Sequence, residues 1–359
     1  MSKFLSSRHA GLNEYVPGEQ PSDMQYIKLN TNESPYPPSP GVLSALSEAE
    51  ISKLNLYPNP DGTRLIEKLA ETYGVGPENV VIGNGSDELL AFAFMAFCDP
   101  VGVCFPNITY GFYPVYAQLF GVSYRQIPLA EDFTVRVEDY IGVNRHVILA
   151  NPNAPTGIAL TLADIRRIAE SNPDNVVLID EAYVDFGAES AIALVREHEN
   201  LLVMHTYSKA RSMAGARLAY AIAQKTLIED LNKMKYSFNP YNVNRLTQLA
   251  GHAALCDAEY YTANCRNIIR TREYTEQKLQ DLGFELTDSK ANFVFAKKPG
   301  FSGRELYLAL KQKGILVRQF NDGRISDYLR ISIGTREQMD ACITAIESIV
   351  GDDGNRPEY

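Results

Sequence analysis

His146-Val147-Ile148-Leu149-Ala150, the break Asn151-Pro152-Asn153-Ala154-Pro155-Thr156-Gly157, the helical stretch Leu162 to Glu170, and Val176-Val177-Leu178-Ile179 running into Asp180-Glu181-Ala182-Tyr183 form one repeating unit. An apolar run is followed by a turn, an amphipathic segment and a second apolar run. Each run is continuous rather than alternating, which predicts a strand covered on both faces, and strands joined through a helix run parallel.

The same unit extends in both directions. Helix Leu65 to Tyr73 precedes strand Val80 to Ile82, helix Asp87 to Phe97 precedes strand Val101 to Phe105, and helix Tyr113 to Phe120 precedes strand Ser123 to Ile127. Helix Ala191 to Glu197 leads to strand Leu201 to Met204. The predicted fold is α/β, a large domain with a mostly parallel central sheet. After a helix-rich stretch from Thr226 to Leu282, runs at Asn292 to Ala296, Gly314 to Val317 and Tyr328 to Ile333, with helices Gly303 to Lys313 and Glu337 to Ile349, predict a small α+β domain. The segment Tyr15 to Pro40 is rich in Pro, Asn and Ser and predicts an irregular arm. A chain of 359 residues suits such a division: 1–55 as arm and part of the small domain, 56–255 as the large domain, 256–359 as the small C-terminal domain.

Composition narrows the class of protein. With 45% hydrophobic and 22% charged residues the chain is an ordinary globular one. A net charge of -10 without any basic run argues against nucleic-acid binding. The segment Met1 to Gly11 has no apolar core of a secretory signal, and the longest apolar run, Leu89 to Phe97, is too short to span a bilayer. Five cysteines without a C-x-x-C pair read as buried thiols in a reducing cytoplasm. The five histidines show no metal-binding spacing, so no metal is expected.

In open parallel sheets ligands bind beyond the carboxyl ends of the strands, and four such loops carry unusual residues. Gly83-Asn84-Gly85-Ser86-Asp87-Glu88 opens a helix, where free N–H groups can hold a phosphate, although an ordinary helix cap reads the same way. The two prolines around Asn153 make a rigid loop able to fix that amide as a donor, or simply a turn. Asp180 ends an apolar strand, where a carboxylate calls for a cation or a donor, or caps the next segment. Ser208-Lys209, followed by Gly215-Ala216-Arg217, places an amine at a strand end, suited to imine formation if desolvated.

Together these loops resemble the fold-type I pyridoxal-phosphate (PLP) aminotransferases, most closely the histidinol-phosphate aminotransferase family. The likeness runs from Lys28-Leu29-Asn30-Thr31-Asn32-Glu33-Ser34-Pro35 to Leu329-Arg330-Ile331-Ser332-Ile333-Gly334-Thr335. It includes Tyr57-Pro58, the 83–88 and 151–157 loops, Asp180 to Phe186, Ser208-Lys209 and Tyr241-Asn242-Val243-Asn244 in the family's order. The resemblance implies that Lys209 binds the cofactor and shuttles the substrate proton, and that Asp180 pairs with the pyridine nitrogen. It implies that Asn153 and Tyr183 bond the phenolic oxygen while Tyr110 stacks on the ring. Ser86, Asp87, Ser208 and Arg217 hold the cofactor phosphate, with Tyr57 reaching it from the other subunit of a homodimer. Arg330 binds the substrate anion and Tyr15 lines its pocket, for amino transfer between histidinol phosphate and 2-oxoglutarate (or glutamate in reverse) in histidine biosynthesis.

Two stretches depart from the family's pattern. Val16-Pro17-Gly18-Glu19-Gln20 lacks the arginine that some members use on the substrate phosphate, which puts a second phosphate clamp in doubt, and Arg211 is a cation without an assigned place. His205 and Arg318 read as structural. Threonine-phosphate decarboxylase and an aromatic or broad-specificity aminotransferase share most of these motifs. A PLP-binding sensor would need an appended DNA-binding domain, and a nucleotide-dependent oxidoreductase would need a G-x-G-x-x-G turn.

Overall fold

The computed structural model describes residues 2–351. Residue 1 and residues 352–359, the outer ends of the first and third expected divisions, lie outside them. Seven strands form the main sheet in the order Val80–Gly83, Ala219–Ala223, Leu201–Thr206, Val177–Asp180, His146–Ala150, Val103–Pro106 and Tyr124–Ile127. Six run the same way, and Ala219–Ala223 is antiparallel to both of its neighbours. The sheet is therefore mostly parallel, as its continuous apolar runs predict.

Those runs are continuous because each strand feeds two cores. Val147 and Leu149 point into one cluster with Leu65, Ile165 and Ala250, whereas Ile148 and Ala150 point into another with Leu89, Tyr113 and Ile228. Successive side chains alternate between faces, so a strand between two helical layers has no polar face to show. Tyr124–Ile127 lies at the sheet's edge and exposes Tyr124, Arg125 and Gln126, a polar edge that discourages further pairing.

Four-stranded antiparallel pairing of Arg318–Gln319, Leu329–Ser332, Phe293–Lys297 and Glu285–Leu286 builds the smaller sheet. The run expected as one strand over Gly314 to Val317 is shorter, Ile315–Leu316, and a second strand follows directly after it. Ile315–Leu316 pairs in parallel with Ile27–Lys28 of the arm, and Arg318–Gln319 crosses to the antiparallel sheet. The arm is thereby tied to the C-terminal part of the chain by main-chain hydrogen bonds. Helix Ala258–Asp281 runs beneath, contributing Cys265, Ile268 and Leu279 to the smaller core.

Local departures from expectation have local causes. Ala191 to Glu197 is a single 3₁₀ turn, Ala191–Leu194, because Ser190 caps Ile192 and the Glu181 carboxylate takes the Ala191 N–H. All five cysteines are free, but Cys256 is exposed at the end of its helix rather than buried. No helix among the described residues is long and apolar enough to cross a membrane.

Candidate active site

Strand register brings the expected loops together. Ala150 pairs with Asp180 and Asp180 with Met204, so three parallel strands end level and their following loops open side by side. Ser86, Asp87, Tyr110, Asp180, Tyr183, Ser208, Lys209 and Arg217 line one cavity at that edge.

At one end of the cavity lies a cup for an anion. Helix Ser86–Phe97 begins there, leaving N–H groups without intrahelical partners. Gly85, at φ +80°, makes the entry turn, and a side chain on it would come within 2.5 Å of Arg217 Nη2. Arg217 itself adopts a left-handed backbone, φ +53°, which turns its guanidinium back over the helix start. It meets Asp87 Oδ2 at 3.1 Å, while Tyr110 donates to Asp87 Oδ1 at 2.8 Å. Asp87 thus fixes both the cation and the ring that flank the cavity.

The opposite end is anionic. Tyr113 donates its hydroxyl to Asp180 Oδ2 at 3.0 Å, and Oδ1 of the same carboxylate is buried without a hydrogen-bond partner. Burial raises the Asp180 pKa to about 6, with Tyr113 and the nearby His205 opposing the rise and Asp87 adding to it. An unsatisfied carboxylate oxygen inside a cavity is costly by itself and calls for a donor from a bound molecule.

Lys209 stands between these ends. Its Nζ donates to the Thr31 carbonyl at 3.2 Å, so the arm reaches the reactive amine. Burial lowers its pKa to about 8, with Arg330 and Arg217 lowering it further and Glu33 and Asp87 opposing. A neutral amine is therefore accessible near physiological pH. The Tyr183 hydroxyl beside it accepts from Asn32 Nδ2 at 3.0 Å.

A second cavity adjoins the first, with Lys209, Tyr110 and Tyr183 as common walls. Tyr15 lines it, stacked on Phe112 with ring centroids 4.2 Å apart. Arg330 lines it too, with its Nε buried and unpartnered. Arg318, which the sequence reading left as structural, faces the same space. Both guanidiniums are held by main-chain carbonyls: Arg330 donates to Asn30 at 3.1 Å, and Arg318 donates to Val16 and Pro17, each at 3.3 Å. The signal that could have found Arg318 is its register: it lies directly opposite Arg330 on paired strands.

Two expected site residues lie outside these cavities. Asn153 spends both N–H bonds on the Ile108 carbonyl, 3.0 Å, and Thr156 Oγ1, 3.1 Å, while its oxygen accepts from Thr109 at 2.7 Å. It secures the rigid loop, and its placement here leaves no free donor. Tyr57 is 77% exposed and stacks on Tyr241 with centroids 4.5 Å apart. His205 is packed in the core, 2.7 Å from Glu181 Oε2 and stacked on Tyr220. Arg211 lies over the Tyr261 ring and donates to the Ala254 carbonyl, behind the cavity rather than in it.

A strand-end lysine with a depressed pKa, an anion cup and a buried acceptor are arranged for carbonyl and amine chemistry on a bound heterocycle. The chain belongs to the class I and II aminotransferases, a family that matches residues 24–346. Within that family its relatives include the histidinol-phosphate aminotransferase of Brachyspira hyodysenteriae, 49% identical over 98% of this chain and 99% of that protein. The enzyme of the same name from Chromohalobacter salexigens is also 49% identical, over 97% and 99%. Among solved structures, histidinol-phosphate aminotransferase from Clostridium acetobutylicum shares the fold with a TM-score of 0.85 at 23% identity, covering 91% of this chain and 99% of that one. The Sinorhizobium meliloti enzyme, solved in complex with pyridoxal-5'-phosphate, does so with a TM-score of 0.84 at 24% identity, over 91% and 92%.

Proposed function

We propose that this aminotransferase moves the amino group between histidinol phosphate and 2-oxoglutarate, with PLP as its cofactor. The observation that carries the substrate is the pair Arg318 and Arg330 in a cavity that shares Lys209 with the cofactor cup. Histidinol phosphate lacks an α-carboxylate, so its phosphate takes the paired guanidiniums, which suit a multi-oxygen anion. A carboxylate of 2-oxoglutarate or glutamate uses Arg330 in the other half of the cycle.

The residues present fit PLP. The unpartnered Asp180 Oδ1 suits a protonated ring nitrogen, the 85–87 turn with Ser208 and Arg217 suits a phosphate, and Tyr110 and Tyr183 flank the space between. When bound, PLP supplies the electron sink that lets a proton leave the substrate's Cα. Lys209 would attach the cofactor and, when its amine is free, would hold and return that proton. Asp180 would keep the ring nitrogen charged, and Tyr183 would donate to the phenolic oxygen. Asn153 takes that role as well only if it gives up Ile108 or Thr156.

The active unit of this reading is a homodimer with shared sites: Tyr57 is exposed and lies outside its own chain's cavity, where it suits a partner's phosphate cup. The separate sheets support a reading of three parts: 56–255 as a large domain, 256–359 as a small C-terminal domain, and 1–55 as an arm that contributes part of the small one. Free cysteines agree with a reducing cytoplasm.

A half-reaction titration tests substrate and chemistry together. Histidinol phosphate is expected to bleach the cofactor's visible band at far lower concentration than phenylalanine or tyrosine. Release of CO2 from threonine phosphate in its place would make the chain a decarboxylase, and a protein that PLP cannot reconstitute would end the enzyme reading.

A further inference from the structure

Asp180 is anchored on one side only. Its Oδ2 accepts from Tyr113 at 3.0 Å, and its Oδ1 has no partner. Tyr113 is fully buried on helix Phe112–Phe120, with centroids 5.7 Å from Phe105 and 5.7 Å from Tyr110, meeting the latter edge-on at 84°. Water cannot replace that donor. The terminal torsion of a carboxylate is broad, and the Tyr113 hydroxyl is the side-chain donor that fixes it. With it, one oxygen is occupied and the other is presented to the cavity.

We propose that Tyr113 is a positioning residue, one that orients the Asp180 carboxylate and keeps it ionised for the ring nitrogen of the cofactor. This rests on reading the cavity as a PLP site. Burial favours the protonated acid and Asp87 on the neighbouring helix adds to that, while the Tyr113 hydroxyl, the Ala182 main-chain N–H and His205 on the adjacent strand oppose it. Glu33, the phenols Tyr110 and Tyr183 and the cations Lys209 and Arg217 are the other titratable groups that line the same cavity. A hydrogen bond to a charged group that solvent cannot reach contributes enough to move cofactor affinity about tenfold or more.

The test measures PLP affinity of the cofactor-free protein across pH. In the parent protein affinity should fall as pH drops through about 6, where Asp180 takes up a proton. Tyr113→Phe should weaken binding about tenfold at neutral pH and move the midpoint upward. Replacing Tyr113 with 3-fluorotyrosine, a stronger donor of the same shape, should move it downward, which a packing role cannot do; this variant carries the test if the phenylalanine protein does not fold. Asp180→Asn is the comparator and should bind weakly at every pH. If both Tyr113 variants keep the parent midpoint while Asp180→Asn loses affinity, Tyr113 only packs. If Asp180→Asn binds PLP as the parent does, the cofactor reading fails instead.

Discussion

Arg318 and Arg330 occupy paired positions on adjacent antiparallel strands and face one cavity. Like charges directly opposite each other are unfavourable in a sheet, by up to about 1 kcal/mol. Main-chain carbonyls hold each guanidinium in place, so an arriving anion relieves a repulsion that the fold maintains. Arg318→Ala should raise the KM for histidinol phosphate by about 10- to 100-fold, the value of charge-assisted bonds, and disturb the glutamate half-reaction less. Arg330→Ala should impair both halves. Steady-state kinetics with each substrate separates the two; an unchanged KM in Arg318→Ala would assign that residue to holding the Val16–Pro17 strap alone.

Lys209 carries a second prediction, in pH. Its folded pKa of about 8 lies below the ordinary lysine value, so the folded state binds fewer protons than the unfolded state between the two. Stability should therefore rise with pH through that window. Lys209→Met should melt higher than the parent when both are cofactor-free near pH 7, and the gap should close as pH rises above about 8. The same variant should form no borohydride-stable link to PLP. Thermal melts across pH check the first outcome and mass spectrometry the second.

Gly85→Ala tests the anion cup. The new methyl meets Arg217 Nη2 at 2.5 Å in a backbone at φ +80°, ψ 163°, a conformation that costs a side chain about 1–3 kcal/mol. Lower melting temperature and weaker PLP binding should appear together, since relief comes only by moving Arg217. A variant that melts lower with cofactor affinity intact would detach Gly85 from the phosphate.

Tyr57 tests the shared site. Lys209→Ala and Tyr57→Phe proteins should each be impaired, the first completely. After subunit exchange, a hybrid dimer would contain one site with Lys209 from one chain and Tyr57 from the other. Activity of the mixture should therefore exceed that of both parents added together, and a merely additive mixture would place Tyr57 outside its partner's site.

Much of this was legible in sequence because burial on both faces writes continuous apolar runs, and those runs end at Ala150, Asp180 and Thr206 beside the chemistry. Ala219–Ala223 escaped notice because alternating alanines carry little strand signal, and its place between two parallel-running strands is a tertiary fact. Arg318 was set aside for a related reason: its neighbour Arg330 is twelve residues away in sequence and opposite only after the strands pair. Asn153 shows the converse. Its loop is conspicuous in sequence, but the direction of its amide depends on Ile108 and Thr156, which no local pattern reveals.

The pairing of Ile27–Lys28 with Ile315–Leu316 has a consequence for synthesis. The carbonyl of Thr31 that receives the reactive amine lies just past that first strand, so it cannot be seated until residue 316 has left the ribosome. The strands of the large sheet are all made by residue 223, but the reactive centre closes only after residues 315 and 316 have been added. Prematurely terminated fragments are thereby left without a finished catalyst.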